Sequence, residues 1–292
     1  MISMVMYSCT SLTTTLDVDD SGFFTESLVI GSIVAAGDSV LRMHVGTNRS
    51  FLDDGDFSEL NLPDAGIEVT KETTGETIAF DELDQNLNTA GENYRKIIDA
   101  DFFEPGSYTF KIEHPDFPVS ETTVEMPQTV AVRNFSFEFE GGLDQDGDDV
   151  SEVVFEILDD PGVRQFYEVQ VLVDDQVVFI RSIDPVTLES FERRTLLLDD
   201  ETFDGQAKRL EVNFKRWNWN PDFSENITIR LLSVNEGYYL LSKSARRQLD
   251  SQNNPFATAV QINSNVNNAL GCLLYTSPSP RDQRGSRMPS SA

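Results

Sequence analysis

Residues 135–139 read FSFEF and residues 167–173 read YEVQVLV. In the first stretch Phe135, Phe137 and Phe139 occupy alternate positions; in the second Tyr167, Val169, Val171 and Val173 do. A period of two puts such residues on one face of an extended chain, which marks a half-buried β-strand. The alternation recurs downstream at Leu210, Val212 and Phe214 and at Ile227, Ile229 and Leu231, with shorter candidates at 177–180 and 194–198. Upstream it recurs at Leu41, Met43 and Val45, at Ile67 and Val69, and at Tyr108, Phe110 and Ile112. Turn signals separate these runs, among them Gly37–Asp38, Pro63–Gly66, Thr74–Gly75 and Pro105–Gly106. Short strands at this spacing predict β-sandwiches.

One stretch changes period. Val234, Tyr238, Leu241, Ala245 and Leu249 recur every three or four residues, which predicts an amphipathic helix over 235–249. Lys243, Arg246 and Arg247 suit the negative end of its dipole, and Tyr238 or Tyr239 is placed to anchor it to a sheet. The expected fold is therefore all-β: two immunoglobulin- or transthyretin-like sandwiches at 27–127 and 128–271, meeting at Pro127, with a single late helix.

Composition narrows the function classes. The 292 residues carry 50 acidic and 22 basic side chains, a net charge of −28. A nucleic-acid binder needs basic surface to replace counterions, so the charge argues against that class. The same charge disfavours electrostatic docking on anionic lipid. No apolar run approaches the roughly 18 residues of a membrane span. Two His and two Cys leave no His- or Cys-rich metal site.

The candidate sites each have a plainer reading beside them. Asp144, Asp146 and Asp148 are spaced like oxygen ligands of Ca²⁺, but an EF-hand register would put Asp149 where Gly is required and Phe155 where Glu is required. A solvated acidic loop is the main reading, and a weak Ca²⁺ site at those three residues is the alternative. His44 and His114 have no nucleophile-elbow context and read as surface imidazoles. Trp217 and Trp219 flank Asn218, so in a strand they share a face. They are the first candidates for ligand or partner contact, and a core or edge-covering role is the alternative. Paired carboxylates could support a hydrolase, yet nothing singles out a nucleophile or a base.

The ends differ from the body. MISMVMYSCTS is apolar up to Ser8, and a small residue before Cys9 is the pattern of a lipoprotein cleavage site. Only eight residues precede Cys9 and none is basic, so an ordinary thiol is the other reading. Residues 1–26 are taken as a signal remnant and tether. Residues 272–292 hold three Arg and one Asp and show no strand or helix pattern. They resemble a read-through tail and are expected to lie outside the fold.

A resemblance adds to these readings. Asn254-Pro255-Phe256, Val260-Gln261-Ile262, Ser264-Asn265-Val266, Asn268 and Leu270-Gly271 follow the Tyr238-Tyr239 helix. Asp160-Pro161-Gly162 precedes Phe166-Tyr167, and Phe203-Asp204-Gly205 marks a turn. This set resembles a family of uncharacterised cell-envelope lipoproteins of Bacteroidota, catalogued as a domain of unknown function and often encoded beside TonB-dependent receptors. The resemblance implies an acylated Cys9 and an outer-membrane location, with no catalytic residues and no cofactor. It implies a non-enzymatic accessory to a TonB-dependent receptor in nutrient uptake or envelope assembly. An autonomous carbohydrate- or peptide-binding module, Ca²⁺-assisted, is the alternative. Family members continue past Gly271 into one more strand, so if that strand pairs in the second sandwich, a tail outside the fold would leave an edge of that sandwich unpaired.

Overall fold

The computed structural model describes residues 24–286 except 51, 52, 54, 81, 84–90, 145–146, 183–193, 216–225, 252–256, 259 and 279–282. In chain order the first strands are β1 (Leu28–Ala35), β2 (Val40–Thr47), β3 (Gly66–Lys71), β4 (Glu76–Ala79), β5 (Glu82–Leu83), β6 (Tyr94–Ile97), β7 (Gly106–His114) and β8 (Phe117–Met126). There follow β9 (Val132–Glu138), β10 (Val150–Leu158), β11 (Phe166–Val173), β12 (Gln176–Val177), β13 (Arg181–Ser182), β14 (Leu196–Asp199), β15 (Ala207–Lys215) and β16 (Asn226–Val234). The helix α1 (Glu236–Ser251), β17 (Leu270–Pro278) and β18 (Gln283–Ser286) complete the chain.

One long sheet runs β12–β11–β16–β17–β1–β2–β6–β5, with β14 on β11 and β18 on β16. A second sheet, β4–β3–β7–β8, packs on its β1–β2–β17 half. A third, β13–β15–β10–β9, packs on its β11–β16 half. The fold is mainly β, as the alternating stretches predict, with two sandwich cores. Ile67, Val69, Phe110 and Ile112 meet Ile30, Leu41 and Met43 in the first. Phe155, Leu210 and Val212 meet Tyr167, Val169 and Ile229 in the second. Burying each such side chain contributes roughly 1.5–3 kcal/mol.

The expectation that residues 272–292 lie outside the fold is corrected for residues 272–278. They belong to β17, which runs parallel to β1 from Val29↔Leu270 to Ala35↔Thr276 and pairs antiparallel with the end of β16. Leu273 and Tyr275 are fully buried in the first core. The strand expected in the second sandwich thus pairs along β1 and seats its core residues in the first. A strand covered on both faces carries apolar residues at successive positions, so CLLYT shows no alternation to read.

Two asparagines take over where the β16–β17 ladder ends. Asn235 Nδ2 and Asn265 Nδ2 both donate to Leu273 O, at 3.2 and 2.8 Å. Leu273 N donates to Asn265 Oδ1 at 2.8 Å, and Tyr275 N to Asn235 Oδ1 at 3.3 Å. Asn235 also caps the helix, accepting from Tyr238 N at 3.0 Å. Nearby, Asn267 and Asn268 donate to Glu121 O and Val119 O on β8. The Ser-Asn-Val-Asn-Asn string thus clasps α1, β17 and β8 together. Gly271 lies at φ +113°, and a Cβ there would stand 1.9 Å from Ile30 O, so only glycine fits where β17 meets β1.

Two local expectations change. His114 is buried rather than at the surface: its Nε2 lies 3.0 Å from Asp64 Oδ1, and its Nδ1 accepts from Asp116 N at 3.2 Å. The cations expected to serve the helix dipole instead stand before its last turn, and Arg246 ties the helix to the Thr195 backbone. Lys243 Nζ donates to Tyr239 OH at 2.7 Å, and Arg246 Nη2 to Thr195 O at 2.9 Å. Both tyrosines anchor the helix. Tyr239 packs on Phe166 with ring centroids 4.9 Å apart, and Tyr238 OH donates to Glu168 Oε2 at 2.9 Å.

Candidate functional site

Three places on this frame bring chemistry-bearing or exposed apolar residues together. The first is a corner built by two glycine turns. Asp160-Pro161-Gly162 follows β10 and Phe203-Asp204-Gly205 precedes β15, so the antiparallel pairing of Leu158 with Ala207 brings the turns together. Gly162 N donates to Asp204 Oδ1 at 2.7 Å, and Gly205 N to Asp159 Oδ2 at 2.7 Å. Gly205 lies at φ +69° with Pro161 against it, so a side chain there would collide. Asp159 Oδ1 accepts from the Tyr167 hydroxyl, which also contacts Gln165 Oε1 at 2.9 Å. Gln165 N donates to Asp200 Oδ2 at 2.6 Å.

Asp159, Asp200 and Asp204 consequently offer carboxylate oxygens within 4.8 Å of one another, an arrangement able to hold a cation. Asp159 and Asp200 are buried. Burial and the neighbouring Asp159 raise the Asp200 carboxyl above its usual value, partly opposed by the Gln165 amide. Burial and the hydrogen bond to Asp159 raise the Tyr167 phenol. Every one of these carboxylates already accepts a hydrogen bond from a backbone amide or a phenol, so the corner acts first as a knot between β10, β11 and β15. The two glycine turns were visible in the sequence; their meeting, and the parts of Asp159, Gln165 and Asp200, were not.

The second place is a cleft of 590 Å³ between the two sandwiches. Pro105, Glu125 and Pro127 line one side, and Asp160, Val163 and Glu236 line the other. The third is a groove of 890 Å³ on the outer face of the long sheet. Val29 and Ile33 of β1 and Leu270 and Leu274 of β17 line it, with Leu241 of α1 and Ile262. Ile33 is 62% exposed, Leu270 45% and Ile262 43%. Gly31 leaves room between Val29 and Ile33, since an added Cβ would meet only His44 Cβ at 3.8 Å. The signal for this groove lay in β1, whose LVIGSIVA is apolar on both faces.

The residues singled out from sequence are placed as follows. Cys9, Trp217, Trp219 and Asp146 lie outside the described residues. Asp144 and Asp148 converge on Lys215, whose Nζ stands 3.4 Å and 2.9 Å from their Oδ2 atoms. The positive charge that a Ca²⁺ ion would bring there is supplied by an ammonium group. His44 Nδ1 lies 3.0 Å from Gly91 O, and His114 is held by Asp64, so both imidazoles serve the fold. Among the described residues no helix is long and apolar enough to cross a membrane.

Comparison with solved structures finds distant β-rich likenesses. Alpha-2-macroglobulin of Salmonella is 15% identical over 75% of this chain and 14% of that one, with a TM-score of 0.25. The BSP domain of a biofilm-associated protein is 8% identical over 94% of this chain and 62% of that one, with a TM-score of 0.25. A putative carbohydrate binding protein of Bacteroides uniformis is 14% identical over 72% of this chain and 89% of that one, with a TM-score of 0.21. Likenesses this remote say nothing of ligand or partner. No curated protein matches the chain. The family model for a domain of unknown function, DUF4249, matches residues 13–280, from before β1 to beyond β17, and the chain belongs to that family.

Proposed function

We propose that this chain is a non-enzymatic binding protein of the bacterial cell envelope. It is held at the outer membrane by a lipid on Cys9 and acts as accessory to a TonB-dependent receptor in nutrient uptake or envelope assembly. The observation that carries this reading is the groove across β1 and β17, with Ile33, Ile262 and Leu270 exposed on the outer face of the sheet joining both sandwiches. Open apolar surface of this kind on a highly charged chain marks a place where a partner excludes water. Affinity would come from apolar anchors seated there rather than from the net charge of −28. The reactive side chains support the same reading, because they are spent on structure. His44 and His114 are tied to Gly91 and Asp64, and burial raises the Cys272 thiol above its usual value. The corner carboxylates each accept a hydrogen bond from a backbone amide of the fold.

The test is affinity capture from native outer membranes with the full chain, an Ile33→Glu/Leu270→Glu variant and a Cys9→Ala control. Both groove residues are already exposed, so the double variant is expected to keep its melting temperature within a few degrees. A TonB-dependent receptor captured by the wild type and lost from the double variant is the expected result. Equal capture by both would remove the groove from the reading. Capture of an acylated protein without any receptor would replace the accessory role with ligand capture by the protein alone.

A further inference from the structure

We infer that the cleft between the two sandwiches is a binding site for an ammonium group carried on an apolar stem, as in a lysine side chain or a free alkyl diamine. The cleft is distinct from the groove proposed to meet a receptor. Its 590 Å³ fall within the roughly 300–1,000 Å³ of small-ligand sites. Such sites combine apolar walls with a few converging polar groups, and Pro105, Pro127 and Val163 supply the walls here. Val163 is 59% exposed, so the apolar wall is open to a ligand.

Three of the four charged residues that line the cleft are acidic. Glu125 comes from β8, Asp160 from the turn after β10, and Glu236 from the first turn of α1. All three are exposed, and none forms an ion pair with a described residue. Against them stands one guanidinium, that of Arg164, which lies 5.4 Å over the Phe166 ring. Three elements distant in sequence thus bring acidic residues to one cleft, which favours a cationic guest.

A second observation, independent of the carboxylates, points to a missing guest. Ser233 lines the same cleft and is 2% exposed, and its Oγ has no hydrogen-bond partner among the described residues. A buried hydroxyl left unpaired is costly, and native folds rarely keep one without a reason. An ammonium group carries three donors and no acceptor. It can give its donors to carboxylates while its methylenes cover the proline and valine walls, and a small shift of the cleft lining would open the buried Ser233 hydroxyl to it.

The chemistry has two sources, and calorimetric titration of the full-length protein separates them. The probes are cadaverine, an acetylated Gly-Lys-Gly amide, and the same peptide with norleucine in place of lysine. Saturable binding of cadaverine, of the lysine peptide or of both is expected, and the norleucine peptide should not bind. Binding of cadaverine alone would identify a free amine as the guest, and preference for the peptide would identify a polypeptide segment. The Glu125→Gln/Asp160→Asn/Glu236→Gln variant should weaken binding at least about tenfold. Ser233→Ala should weaken it several-fold while folding normally, since it removes only an unsatisfied hydroxyl. A control variant, Glu72→Gln/Glu76→Gln/Asp99→Asn, carries the same charge change elsewhere and should bind like the wild type. Three results would each overturn the inference: no saturable binding of either amine, equal binding of the norleucine peptide, or equal loss in the control variant. The last would mean that the diffuse field of an acidic chain, not this cleft, attracts the probes.

Discussion

The two sandwiches are built from similar strands but close in different ways. The second takes its core from one contiguous span, with buried residues from Val130 to Leu231. Its strands pair antiparallel along their length, as in Val153↔Val212 and Val169↔Leu231. The first takes most of its core from Leu28 to Met126 and then needs Val266, Leu273 and Tyr275 from the far end of the chain. Its closing strand pairs parallel with β1, a connection that spans nearly the whole sequence. Local closure is gained early in folding, whereas a long-range strand must first overcome the entropy of closing the intervening loop. The second sandwich should therefore hold together without the C-terminal strand, and the first should not.

Removing residues 272–292 is the largest test of that difference. It withdraws Leu273 and Tyr275 from the first core and leaves β1 with an open edge. The expected outcome is loss of amide-exchange protection in β1, β2 and β7, with β10, β11 and β15 still protected. Apolar transfer alone accounts for roughly 3–6 kcal/mol from two such side chains. Uniform protection across both halves would show that β17 adds little, and uniform loss would show that the halves fold as one unit.

A single substitution asks the same question with less disturbance. Gly271→Ala places a Cβ against Ile30 O at a φ that non-glycine residues avoid. The expected cost is about 3 kcal/mol, read as a lower denaturant midpoint, with the larger share falling on the first sandwich. An unchanged midpoint would mean that β17 can shift away from β1 without penalty.

The smallest expected effect lies in the second sandwich and has the opposite sign. The fold holds the Asp200 carboxyl above its usual value, so ionisation opposes folding. Stability from this group is fully present below the unfolded value of 3.8, declines as pH rises toward the folded value, and stays lost beyond it. Asp200→Asn keeps an acceptor for Gln165 N and cannot ionise. It should stabilise the protein at neutral pH by on the order of 1 kcal/mol. Melting curves of the two proteins should converge as pH falls below the unfolded value. A variant less stable at every pH would show that the corner requires the charge.

Legibility in the sequence follows the same division. The alternating faces around Phe137, Val169, Val212 and Ile229 were readable because polar residues such as Glu168, Gln170, Thr228 and Arg230 alternate with the apolar ones. The helix was readable because its period changes at Val234, and the structure extends it by only two residues, to Ser251. β17 was not readable, since Cys272 and Leu274 face a groove while Leu273 and Tyr275 face a core. His114 was misplaced because the residue that holds its ring, Asp64, lies fifty residues earlier in the chain.

The sequence by itself determined the mainly β class, the late helix, the turn glycines and the net charge of −28. Those are local or summed properties, carried by side-chain period, backbone freedom and charge. Tertiary structure alone decided that residues 270–278 close the first sandwich and that the two glycine turns form one corner. It also decided that Glu125, Asp160, Glu236 and Ser233 share a cleft. Periodicity states which face of a strand is buried but not which strand lies beside it. Pairing is settled by contacts between residues far apart in the chain, so sites made by pairing appear only in the folded molecule.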